Sequence, residues 1–134
     1  MAQRARDSPR GRSRAATLVG LQRHAVDNDV PLGALRSGSR QRADGRHLSW
    51  SLTDPDPLLA GGVIPFFIDW GSSPHPSDSA AHGATLADLR LEHPDADEIR
   101  RMLRVLDLDV GVVAADEPAI VATIEGRHGL VELR

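Results

Sequence analysis

From Ala15 to about Val26 the apolar residues recur at helical spacing. Leu18, Leu21 and Val26 share a face, with Ala16 and Ala25 nearby. Pro31 forbids continuation, so this helix is predicted to end near Asn28. Val30 to Leu35 reads as a short strand. Ser37 to Gly45 reads as a polar turn region, in which Asp44-Gly45 is a hairpin signal. His47 to Leu52 then alternates cleanly, Leu48, Trp50 and Leu52 against His47, Ser49 and Ser51. That is the period of a half-buried strand. Val63 to Trp70 is the most apolar strand candidate, and Pro65 marks an edge or a bulge within it.

Gly71 to Ala84 is rich in Pro, Ser and Gly and carries no periodicity, so a boundary is placed there. Beyond it, Thr85 to Glu92 alternates Ala87, Leu89 and Leu91 against Asp88, Arg90 and Glu92. Asp95 followed by Glu98 resembles a capping box and opens a helix. Ile99, Met102, Leu103 and Leu106 form its apolar stripe, with Arg100, Arg101 and Arg104 on the wet side. Three short strands follow, over 109–114, 119–125 and 130–133. The order is βαβββ. The predicted organisation is an arm over 1–14, an incomplete module of one helix and about three strands over 15–72, a linker over 73–84 and a complete βαβββ module over 85–134. The fold class is α+β.

Composition narrows the chemistry. There is no cysteine, which removes disulfides, thiolate metal sites and cysteine nucleophiles. No apolar run approaches the ~18 residues of a membrane span, and the N-terminus lacks the apolar core of a secretory signal. A cytoplasmic location without membrane contact is the default expectation. Charge is uneven: residues 1–46 hold ten Arg against four acids, and residues 47–134 hold six Arg against fifteen. The Arg-rich first residues, with Pro and Gly among them, are expected to be disordered and solvated. They lack aromatic interleaving, so nucleic acid is not an expected partner.

Three stretches carry a family resemblance. They are Ser39-Arg40-Gln41-Arg42-Ala43-Asp44-Gly45-Arg46-His47-Leu48-Ser49-Trp50, then Ile64-Pro65-Phe66-Phe67-Ile68-Asp69-Trp70 followed by His75-Pro76, and the module Gly83–Arg134 ending in Gly129-Leu130-Val131-Glu132-Leu133. Together they resemble the glyoxalase-like domains of the vicinal oxygen chelate superfamily, over roughly Ala15 to Arg134. Members usually begin with a module bearing a Leu-Asp-His strand and a Glu strand, and nothing here corresponds to it. The resemblance therefore implies a chain that starts inside a second module, through truncation, a misplaced start or a strand supplied by a partner.

The resemblance implies paired modules that curve into a cup and hold a divalent metal (Mn, Mg, Ni, Fe or Zn) or, in relatives of the bleomycin-resistance type, a small molecule without metal. Its metal positions fall on Asp69, Asp88 and Glu132, a carboxylate set without a histidine. An alternative leaves these three as solvated strand residues. Either one of Arg40 and Arg42 clamps a substrate carboxylate, or they belong to a solvated turn or to an ion pair with Asp44. Trp50, Phe66, Phe67 and Trp70 either floor an apolar pocket or form core. The expected ligand-binding set is Arg40, Arg42, Trp50, Phe67 and Asp69. His75, His82 and His93 match no familiar metal spacing, and His75-Pro76 is expected to shape a rim. The expected function is small-molecule binding. The alternatives are a metal-dependent lyase, isomerase or dioxygenase, and a non-catalytic remnant that acts through homodimerisation of exposed strand edges.

Overall fold

The computed structural model describes residues 17–134 and the backbone of Ala2–Gln3. The rest of the arm expected over 1–14 lies outside the described residues. Over the described residues the architecture is α+β, two α-helices with two four-stranded sheets, and the chain divides into two compact units.

The N-terminal unit comprises residues 1–59 and 65–79. Its helix α1 (Leu18–Asp27) starts where the Thr17 hydroxyl accepts the Gly20 amide at 3.1 Å. It buries Leu18, Leu21 and Ala25. Strands β2 (Leu35–Gln41), β3 (His47–Thr53) and β4 (Phe66–Asp69) follow, and β1 (Ala2–Gln3) runs parallel to β4. The sheet order is β1-β4-β3-β2. Leu48 is 3% exposed between exposed His47 and Ser49, so the sheet is covered on the Leu48 face at that end of β3.

The C-terminal unit comprises residues 60–64 and 80–134. It runs β5 (Ala84–His93), α2 (Ala96–Val105), β6 (Gly111–Ala114), β7 (Ala119–Gly126) and β8 (Gly129–Leu133), the predicted βαβββ order. The sheet order is β6-β5-β7-β8, with β6 parallel to β5 and the other pairings antiparallel. Leu91, Val112 and the α2 residues Ile99 and Leu103 are buried. Leu91 and Val112 are ladder partners, so they share the face that α2 covers. Gly61 sits against Pro118: a Cβ there would meet the proline side chain at 2.7 Å, and its φ of +67° suits glycine.

Both helices end the same way. Val30 N–H bonds to Ala25 O at 2.8 Å and Leu108 N–H to Leu103 O at 2.9 Å, each closing over an aspartate with positive φ, Asp29 at 58° and Asp107 at 54°. Aspartate tolerates this region better than most residues.

Three expectations change. The strand predicted over Val30–Leu35 is instead β2, over Leu35–Gln41. Val30 and Leu32 are buried in the coil that follows α1. The polar Ser37–Gln41 stretch is strand because its backbone bonds to β3 along an edge, where pairing needs no apolar side chains. The apolar run Val63–Trp70 yields strand only over Phe66–Asp69. Val63, Ile64 and Pro65 are buried without strand pairing, as suits a proline that cannot donate to the ladder. The capping box forms only half. Asp95 accepts from Glu98 N–H at 3.3 Å, but the Asp95 N–H donates to His93 Nδ1 at 3.0 Å, while the Glu98 carboxylate turns to Arg101.

Candidate functional site

In the N-terminal unit the hairpin register decides which side chains meet. Ser37 lies opposite Ser51, Ser39 opposite Ser49, and Ser51 opposite Asp69. Cross-strand partners point to the same face, so four serines and one carboxylate share it. They line a cavity of about 430 Å³, with Gly38, Trp50 and Gly71 at its border. The loop after β4 is tied back to β3: Ser49 N–H donates to Ser73 Oγ at 2.9 Å, and Ser73 Oγ donates to Ser49 O at 3.0 Å. Asp69 Oδ1 accepts the Gly71 N–H at 2.9 Å. Among the described residues, Asp69 Oδ2 and the hydroxyls of Ser37, Ser39, Ser49 and Ser51 have no protein hydrogen-bond partner.

The aromatic residues lie elsewhere. Gly38 is the ladder partner of Trp50, and a Cβ at Gly38 would fall 2.5 Å from the indole ring. The ring thus lies over Gly38 on the face opposite the serines. There it meets Trp70, with centroids 5.5 Å apart, and Trp70 meets the His75 ring edge-on at 6.0 Å. His75 Nδ1 also caps its own turn, accepting from Ser77 N–H at 3.1 Å. Phe67 lies one register step from Asp69 on the serine face, but it is buried, and its N–H donates to the buried Thr53 hydroxyl at 3.0 Å. Arg40 pairs with Leu48 in the ladder, which puts it on the Trp50 face. Arg42 lies in the turn, 3.9 Å from Asp44. Of the expected ligand set, the cavity therefore gathers Asp69 and the border of Trp50. Ser37, Ser39 and Ser51 were not singled out from the sequence. The Asp44-Gly45 turn would have given their pairing had β2 been extended through the polar run.

The open face of the C-terminal unit differs. Asp88, Thr123 and Glu132 are successive ladder partners across β5, β7 and β8. Arg90 and Glu92 follow Asp88 at two-residue steps on the same face. The Arg90 guanidinium bonds Glu132 Oε2 through Nη1 at 3.2 Å and approaches Glu92 Oε1 through Nε at 3.4 Å. Arg134 Nη2 holds the other Glu92 oxygen at 3.0 Å. Glu92 is only 8% exposed, and a buried carboxylate requires such partners. The hydrogen bond to Glu132, and then the charges of Glu132 and Glu92, hold the Arg90 guanidinium above its ordinary pKa against an opposing effect of burial. A second cavity, of about 630 Å³, opens beside Glu92 and Arg134 and is bordered by Val113, Asp116 and Glu117.

These residues do not fit a metal. Both Glu92 oxygens and Glu132 Oε2 already face guanidinium groups. Among the described residues no group of three or more His, Cys, Asp or Glu is placed to hold an ion. His93 is engaged at the α2 cap. No described helix is long and apolar enough to cross a membrane.

A sequence profile described as a glyoxalase-like domain matches residues 3–106, well over half of the chain. The match ends with α2, and β6 to β8 lie beyond it. No curated protein and no solved structure matches. The matched span takes in the first two stretches that carry the resemblance and, of the third, β5 and α2. The chain therefore belongs to the glyoxalase-like domain family of the vicinal oxygen chelate superfamily.

Proposed function

We propose that the chain binds a small polar molecule on the serine face of its N-terminal unit. The observation that carries this reading is the convergence of Ser37, Ser39, Ser49, Ser51 and Asp69 on one cavity of about 430 Å³. Each serine both donates and accepts, whereas an ionised aspartate only accepts. No Arg lines the cavity, so nothing there favours an anion. A ligand rich in donors, such as a polyol or an amine, suits this lining better than a carboxylate or phosphate.

A thermal-shift series with neutral polyols, primary amines and matched carboxylates tests it. The polyols or amines raise the melting temperature in a dose-dependent way, the carboxylates do not, and Asp69→Asn weakens the response. No response to any donor-rich compound, or a response that Asp69→Asn and Ser51→Val both leave intact, contradicts it.

A further inference from the structure

The strand ladder gives the serine face a direction. Its first row runs from Asp69 on β4 through Ser51 on β3 to Ser37 on β2. Neighbouring strands lie about 4.8 Å apart, so the row has a carboxylate at its inner end and hydroxyls out to the sheet edge. Two residues along each strand, about 7 Å further on, Ser49 and Ser39 form the second row. Gln41 and His47, both exposed, form the next. On the other side of the first row the face is shut: Thr53 is 0% and Phe67 2% exposed, and Leu35 beside Thr53 is apolar. A molecule seated at Asp69 therefore has one polar way to run, over the serines toward Ser49 and Ser39. The Asp69 carboxylate is held ready, since its Oδ1 accepts the Gly71 N–H at 2.9 Å. No arginine or histidine lines the cavity to neutralise it.

We infer that the ligand of this site is an amino-polyol, a molecule with an ammonium group at one end and a run of hydroxyls beyond it. The ammonium sits on Asp69 Oδ2, and the hydroxyls lie over Ser51, Ser37, Ser49 and Ser39. This inference rests on the small-molecule reading above and narrows it to one arrangement of charge and hydroxyls. An ammonium group offers three donors and no acceptor, the complement of a carboxylate oxygen. A hydroxyl both donates and accepts, so it matches a serine whichever way the serine O–H turns. One charged corner beside four neutral hydroxyls suits a single cationic group at the end of the ligand. A second cation further along would lie over serines, which accept a hydrogen bond but bring no charge to neutralise it. A carboxylate at the same end would meet Asp69 with like charge.

The test is isothermal titration calorimetry on the full chain with 1-amino-1-deoxy-glucitol, glucitol and ethanolamine. The amino-hexitol binds roughly tenfold or more tightly than glucitol, which lacks the charge, and than ethanolamine, which carries it on a short stem. In Asp69→Asn the amino-hexitol and glucitol bind alike. Ser39→Ala, in the far row, weakens the amino-hexitol severalfold and leaves ethanolamine unchanged. Both positions are exposed, so neither variant disturbs the core. Glucitol bound by wild type as tightly as the amino-hexitol overturns the inference and leaves the small-molecule reading standing. An advantage of the amino-hexitol that persists in Asp69→Asn overturns the inference as well, as does ethanolamine binding as tight as that of the amino-hexitol. Binding of none of the three also overturns it, and the thermal-shift series then decides whether the small-molecule reading falls with it.

Discussion

The two sheets of this chain present polar faces of opposite kinds. On the N-terminal sheet, four serine hydroxyls and the free oxygen of Asp69 point into a cavity without partners among the described residues. On the C-terminal sheet, Arg90 and Arg134 satisfy the carboxylates of Glu92 and Glu132. A polar face whose groups have no protein partners can exchange hydrogen bonds to water for hydrogen bonds to a ligand. A face whose charges already neutralise one another must break those pairs first. The same strand geometry thus yields one receptive surface and one closed surface, and the difference lies in which side chains the ladder register brings together.

Several substitutions test this contrast. The largest effect is expected at the α2 core. Ile99→Ala empties a site that is 1% exposed and should cost about 2–5 kcal/mol, measured by urea unfolding. It should leave the response to donor-rich ligands in place wherever the chain remains folded. Next is Gly38→Val, whose Cβ would strike the Trp50 indole that lies over the glycine. Overpacking of this kind costs about 1–3 kcal/mol, and the change in Trp50 surroundings should be visible in tryptophan fluorescence. Asp69→Asn should weaken ligand binding roughly tenfold to a hundredfold, the value of a hydrogen bond to a charged group. The melting temperature of the free chain should scarcely move, because Asp69 is exposed. Removing the Thr17 cap by Thr17→Ala should cost about 1 kcal/mol.

The smallest effect concerns Glu98. Its two-pronged hydrogen bond with Arg101, at 2.8 and 2.6 Å, holds its carboxyl below the ordinary value of 4.5. A lowered folded pKa means that this contribution is fully present above pH 4.5 and is lost as the pH falls through the lowered value. Glu98→Gln should therefore cost a little stability at neutral pH, and the difference from wild type should vanish as the pH falls well below 4.5.

Much of the fold was legible in the sequence. The stripe Ile99, Met102, Leu103 and Leu106 gave α2, and the alternation around Leu48 gave β3, because burial on one side imposes a period on the side chains. β2 was not legible, because an edge strand held by backbone pairing leaves no apolar signature in Ser37–Gln41. The reverse error came from Val63–Ile64. Its apolarity reflects burial, but Pro65 keeps it out of the ladder. At the site, Asp69 stood out through its place in a family-like strand, and its serine neighbours did not, since serine is common in turns. Arg90 and Glu92 looked like the solvated side of an alternating strand. Only the side-chain contacts across β5 and β8 show that Arg90 is held between Glu92 and Glu132.

The contrast between an open and a closed face is tested most directly by amide chemical-shift mapping on the isotope-labelled chain, titrated with the polyol or amine that most raises its melting temperature. Shifts confined to residues 37–39, 49–51 and 69–73 are expected. The amides around Glu92 and Glu132 should stay in place. Shifts centred on β5 and β8 would contradict it, as would a titration that moves no amide in the serine-lined cavity.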